Sequence, residues 1–135
     1  MKTINVIVEW SDKNFCGGYG DKELGAVLAT GATLEDFKRD FEEALDFHIE
    51  GMVEHGDAPE WAKEGSYEIV YQMEVSAVLR QAVQYTTMAA VSRVSGINQK
   101  LLEHYASSRK RPRQAQQDKI KEALHRIGEE ILAFS

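Results

Sequence analysis

Gln99, Lys100, Glu103 and His104 fall at positions i, i+1, i+4 and i+5, so a helix through them carries all four on one face near its amino-terminal end. Side chains of these types read base edges in a major groove. An amide pairs with adenine through two hydrogen bonds, a lysine donates to guanine or to a phosphate, and a carboxylate accepts from cytosine. Directly after them comes Ser107-Ser108-Arg109-Lys110-Arg111-Pro112-Arg113, in which Arg109, Lys110, Arg111 and Arg113 place four cations in seven residues. Such a run contacts phosphate oxygens and supplies affinity without sequence preference. The other chemistry-bearing residues do not converge. Metal-dependent phosphodiester cleavage needs several carboxylates around one or two ions, and the spacing of Glu9, Asp12, Asp21 and Glu68 implies no such cluster, so no catalytic activity is expected. His48 and His55 lie two helical turns apart, about 10.5 Å of rise, too far to share a metal. His48 reads as a core-edge residue and His55 as a helix-terminal one facing the carbonyl dipole. Cys16, the single cysteine, forms no internal disulfide and reads as a small buried hydrophobe. No cofactor motif is present.

The elements that must hold the polar face in place are helical. From Glu74 the apolar period is near 3.6. Val75, Val78, Leu79, Ala82 and Val83 form one stripe, and Met88, Val91 and Val94 form a second that halts at Ser95-Gly96. A third segment carries Leu101, Leu102 and Tyr105. Thr87 and Asn98 are the N-caps of the last two and are counted with the DNA-binding residues. Residues 87–105 thus have helix-turn-helix spacing. Position 92 must be small where two helices cross, Gly96 supplies the positive φ of the turn, and Val91, Ile97, Leu102 and Tyr105 anchor the reading helix from behind. A final long helix carries Ile120, Leu124, Ile127 and Ile131, with Phe134 beyond. That stripe exceeds what a short domain needs for its own core and predicts a homodimer or higher homo-oligomer.

The first half has a different period. Residues 3–10 alternate, with Ile4, Val6, Val8 and Trp10 on one side, which predicts a strand with one buried face. Ser11-Asp12-Lys13-Asn14 is turn chemistry, residues 15–19 return as a second strand whose Gly17-Gly18 pair suits a bulge, and residues 25–30 form a third. Thr33 then caps a helix whose stripe is Leu34, Phe37, Phe41, Ala44, Leu45, His48 and Met52, opposite a face of Glu35, Lys38, Arg39, Glu42, Glu43, Asp46 and Glu50. After the loop Gly56-Asp57-Ala58-Pro59, alternating Tyr67, Ile69, Tyr71 and Met73 give a fourth strand. Trp61, Tyr67 and Tyr71 read as core aromatics. The order is β-β-β-α-β.

With 135 residues and 43% hydrophobic composition the chain is globular, and two small domains are expected, 1–73 and 74–135, in an α+β fold. No run reaches the roughly 18 to 20 apolar residues of a membrane span, and no signal peptide is read, so a cytoplasmic protein is expected. The net charge of −6 conceals a division. Residues 1–73 hold Lys+Arg 6 and Asp+Glu 16, a difference of −10, whereas residues 74–135 hold 10 and 6, a difference of +4. An acidic half beside a basic half predicts two partners of opposite sign.

The stretch SRVSGINQKLLEHYASSRKRPR, Ser92 to Arg113, resembles the Cro/repressor-type helix-turn-helix, with Ser92 where that family usually has Ala and Ser108 where a Gly commonly closes the reading helix. Together with NVIVEW, the Gly-Gly-Tyr segment and GATLEDFKRDFEEAL, the chain resembles the HicB-family antitoxins along nearly its whole length. The resemblance implies a partial ribonuclease-H-like first domain that sequesters a small basic ribonuclease toxin of the HicA type. It implies also a second domain that binds operator DNA and represses the operon encoding both. A transcription regulator whose first domain senses a small ligand is the alternative.

Overall fold

The computed structural model describes residues 1–135. The chain divides into two compact units, Met1–Glu74 and Val75–Ser135, one residue past the expected boundary. All four strands lie in the first unit and the second is helical, a mixed α and β architecture of the α+β class.

The first unit runs β1 (Lys2–Ser11), β2 (Asn14–Asp21), β3 (Gly25–Gly31), α1 (Leu34–His55), α2 (Glu60–Lys63) and β4 (Tyr67–Met73). The sheet order is β3-β2-β1-β4, with β1 antiparallel to β2, β2 antiparallel to β3, and β4 parallel to β1. The period-two pattern of β1 buries Ile4, Val6, Val8 and Trp10 on the face that α1 covers, and α1 returns Phe37, Phe41 and Leu45 to the same core. Thr33 caps α1 by accepting the Asp36 N–H at 3.0 Å. The opposite sheet face is exposed and held by cross-strand pairs: Thr3 Oγ1 donates to Glu68 at 3.2 Å and Asn5 Nδ2 to Gln72 at 2.8 Å.

Three expectations need correction. Gly17 and Gly18 make no bulge: the ladder runs unbroken through Ile7–Gly18, Val8–Gly17 and Glu9–Cys16. The glycine is required instead by close approach, since a Cβ at Gly17, at φ +151°, would lie 1.9 Å from the Ile7 carbonyl oxygen. Cys16 is half-buried rather than buried, because its register with Glu9 and Thr30 turns it to the open face. The expected β-β-β-α-β order lacks a second helix, yet the single turn α2 stands between Pro59 and β4 and sets Trp61 edge-on to Tyr67 at 6.0 Å and under the Lys2 ammonium at 5.3 Å.

The second unit runs α3 (Val75–Ala82), α4 (Met88–Ser95), α5 (Gln99–Ala106) and α6 (Gln114–Ala133). One nucleus joins all four: Val75 and Leu79 of α3, Val91 of α4, Ile97 of the turn, Leu102, Tyr105 and Ala106 of α5, and Ile120 of α6. No helix is long and apolar enough to cross a membrane.

At the open end of the first unit the Tyr19 hydroxyl donates to Asp21, whose carboxylate also accepts the Leu24 N–H at 2.6 Å and pairs with Lys2 at 3.3 Å. The Tyr19 hydrogen bond above all, with the Leu24 N–H and the Lys2 charge, holds the Asp21 carboxyl below its ordinary range. A carboxyl depressed in the folded state stabilises fully above its unfolded value, about 3.9, and loses that contribution as pH falls through the folded value. Both tryptophans lie in this unit, so their fluorescence reports its unfolding. Urea midpoints followed this way should fall more steeply on acidification below about pH 4 in the wild type than in Asp21→Asn; parallel curves would remove the role given to Asp21.

Candidate nucleic-acid interface

The predicted polar face is built outward from the nucleus of the second unit. Thr87 starts α4, its Oγ1 accepting the Ala90 N–H at 3.0 Å. The helix ends at Gly96, which sits left-handed at φ 76° and donates its N–H to the Ser92 carbonyl at 2.9 Å. A side chain at 96 would meet nothing within 4 Å, so glycine is needed there for its backbone alone. Ile97 turns inward and is buried. Its two backbone groups are tied by α4: Ser92 Oγ donates to the Ile97 carbonyl at 2.6 Å, and the Ile97 N–H donates to Ser95 Oγ at 3.1 Å. Serine at 92 is therefore small enough for the crossing and also satisfies a carbonyl that an alanine would leave bare.

Asn98 then caps α5, accepting the Lys100 N–H at 2.8 Å. With Leu102 and Tyr105 fixed in the nucleus, Gln99, Lys100 and Glu103 stand exposed on the far side of α5. Gln99 Nε2 lies 3.4 Å from Glu103 Oε1, one turn on, a separation long enough to yield to a ligand. His104 differs from the other three. It is half-buried, because at position 104 the helix face is already turning toward its neighbours, and its carbonyl rather than its ring is engaged. That carbonyl accepts the Arg109 N–H at 2.9 Å, the Lys110 N–H at 3.3 Å and Ser107 Oγ at 3.2 Å. The beginning of the basic run is thereby fastened to the end of α5, a link with no signature in the sequence. Ser108 makes the reversal with φ 64°, the left-handed conformation for which glycine is commoner.

Arg109, Lys110, Arg111 and Arg113 are all exposed, Arg113 at the N-cap position of α6. Thr87 and Asn98, counted among the binding residues, are exposed too, with their side-chain oxygens occupied by the caps. Tyr85, 79% exposed just ahead of Thr87, has no place in the sequence-based site; its only signal is a position off the apolar stripe. The unit carries Lys+Arg 10 against Asp+Glu 5, a difference of +5.

The first unit holds Lys+Arg 6 against Asp+Glu 17, a difference of −11. On the outer face of α1, Glu35, Glu42, Glu43, Glu50 and Glu54 are exposed, with Asp46 beside them. The cations of that face are occupied, Arg39 with Asp36 at 3.3 Å and Lys38 over the Tyr71 ring at 5.0 Å. Tyr71 is held well above the ordinary phenol range by burial, then by its hydrogen bond to Glu42 at 2.8 Å. Among the carboxylates Phe47 stands 78% exposed, an aromatic off the buried stripe whose exposure the periodicity alone does not single out. His48 does not join a metal site: its ring meets the Leu24 carbonyl, while His55 Nδ1 meets the Gly51 carbonyl at 2.8 Å. No group of three or more His, Cys, Asp or Glu is placed to hold a metal ion.

The anchoring of Ile97 gives a direct test. Ser92→Ala should cost about 1 kcal/mol of stability by stripping the Ile97 carbonyl of its donor. Gly96→Ala should cost about 1 kcal/mol by forcing a Cβ into the left-handed region, with Gly96→Asn costing less. Thermal unfolding followed by circular dichroism measures both; unchanged stability in both variants would mean that the turn is not under this constraint.

No protein-family model, curated protein or solved structure matches this chain, so its own residues carry the functional reading.

Proposed function

We propose that the protein is a two-part regulator of the antitoxin type that acts by binding rather than catalysis. Its second unit binds operator DNA through a helix-turn-helix made of α4, the Gly96 turn and α5. The single observation that carries this is the exposed row Gln99, Lys100 and Glu103 on a helix whose back is locked into a nucleus, with Arg109 and Lys110, the first cations of the basic run, fastened by their backbone to the same helix end. Rigid presentation of a few base-reading groups beside a phosphate-binding run is what sequence-specific major-groove recognition needs.

The first unit, an antiparallel meander with a fourth strand parallel to the first, is read as the partial ribonuclease-H-like half. Its acidic α1 face with exposed Phe47 fits a cationic protein, the small basic ribonuclease toxin of the HicA type that the resemblance implies. Charge of that density speeds encounter with a basic partner and repels nucleic acid, and an exposed aromatic within it supplies the apolar anchor that charge alone lacks.

The DNA reading is tested by fluorescence anisotropy with a duplex taken from upstream of the protein's own gene and a scrambled duplex of equal length. Gln99→Ala with Lys100→Ala should shrink the preference between the two by roughly 1 to 3 kcal/mol, the worth of one bidentate base pairing. Arg109, Lys110 and Arg111 replaced together by Ala should weaken binding to both duplexes alike, and lower the slope of log K against log salt by about 0.9 for each phosphate no longer neutralised. Wild-type behaviour in both variants would rule out α5 as the reading helix.

A further inference from the structure

The two edges of the sheet in the first unit are finished differently. At the β3 edge the Thr30 N–H is taken by the Asp40 carboxylate at 2.9 Å, so a side chain of α1 blunts that edge against further pairing. The β4 edge has no such device. The Ser66 carbonyl accepts the Lys2 N–H at 3.2 Å, and the Glu74 N–H donates to the Val8 carbonyl at 2.8 Å. Between them the parallel ladder alternates, so Glu68, Val70 and Gln72 turn their backbone groups to β1. Tyr67, Ile69, Tyr71 and Met73 turn theirs to the outside, where the sheet ends. The strand carries no proline, no lysine and no bulge, and its register with β1 is unbroken. An apolar and aromatic edge of this kind is a template for another strand.

From this edge we infer that β4 takes up an extended, basic segment of a protein partner as a fifth strand, main chain on main chain. The inference rests on the first unit being the receptor of a cationic protein, and it names the surface and the mode of contact. Charge selects the occupant. Glu42 lies on the α1 side of the edge, where it accepts the Tyr71 hydroxyl at 2.8 Å. Asp46 stands on the same side near Tyr67, whose phenol is pushed up first by burial and then by the Asp46 and Glu42 charges. Glu68 lies on the opposite face of the sheet, beside exposed Val70 and Gln72. Lys38, on the α1 side, already lies over the Tyr71 ring at 5.0 Å. Carboxylates therefore flank the edge on both faces, and an added strand, whose side chains alternate between those faces, meets them with cations on either one. Main-chain hydrogen bonds give such a strand its affinity, and the flanking charges decide which strand is accepted. A second copy is the poorer occupant, because each first unit carries a difference of −11 and pairing would bring two such units together.

Amide hydrogen exchange of the full chain, followed by NMR, tests the edge residue by residue. The probes are two synthetic peptides of about eight residues, one alternating Lys with Val and one alternating Glu with Val, each added at up to about 1 mM. In the free protein the Ile69 and Tyr71 amides should exchange at least about tenfold faster than that of Val70, which is bonded to β1. The Lys-Val peptide should slow Ile69 and Tyr71 by about tenfold or more, and the Glu-Val peptide should bind at least about tenfold more weakly. Ile69→Pro removes an outward N–H without touching the β1 ladder, so it should keep the circular dichroism spectrum and bind the Lys-Val peptide at least about tenfold more weakly. No binding at the highest concentration would overturn the proposal. So would binding that leaves Ile69 and Tyr71 exchange unchanged, although the cationic-partner reading would then stand. Equal slowing by the two peptides would overturn the basic occupant and that reading with it. Slowing that grows with the protein's own concentration, without peptide, would give the edge to a second copy instead.

Discussion

Everything that the second unit presents outward depends on how tightly Ile97 is held inward. Its side chain is buried among Val91, Leu102 and Tyr105, its carbonyl takes a hydrogen bond from Ser92, and its N–H gives one to Ser95. Three restraints on one residue leave the chain a single path out of α4, through the left-handed Gly96 and into the Asn98 cap. The phase of α5 follows. A helix advances 100° per residue, so a slip of one position would carry Gln99 and Glu103 toward the nucleus and drag Leu102 into water, at a cost of roughly 2 to 5 kcal/mol for the leucine packing alone. The outward row is therefore set by an apolar constraint on the other side of the helix, and the exposed residues remain free to be chosen for recognition.

Charge is organised by the same division of labour. In α1 the apolar stripe takes one face and the carboxylates take what remains, so the acidity of the first unit is concentrated on a surface that the core itself leaves open. In the second unit the cations cluster after α5, where the His104 carbonyl gathers the backbone of Arg109 and Lys110 into the helix end. A charge run left as a free loop would spread its field over many conformations. Tied at its beginning, it keeps its first cations near the end of α5, and on the DNA-binding reading proposed above it would lose less entropy on meeting a phosphate backbone.

The periodic parts of this structure are legible in the sequence because burial writes a period. Ile4, Val6, Val8 and Trp10 mark β1, Phe37, Phe41 and Leu45 mark the face of α1, and the Val91, Ile97, Leu102 group marks the nucleus behind Gln99 and Lys100. What stays hidden depends on neighbours distant in sequence or on elements too short to have a period. α2 is one turn, entered from Pro59 with no side-chain cap. Gly17 looks like a bulge because the closeness of Ile7 across the sheet cannot be seen in its neighbours. Cys16 reads as buried because its type favours burial, whereas the register of β2 decides its face. Ser92 and Ser108 stand out only as departures from a pattern, and the reason for Ser92, a hydrogen bond to a carbonyl five residues on, belongs to the folded turn.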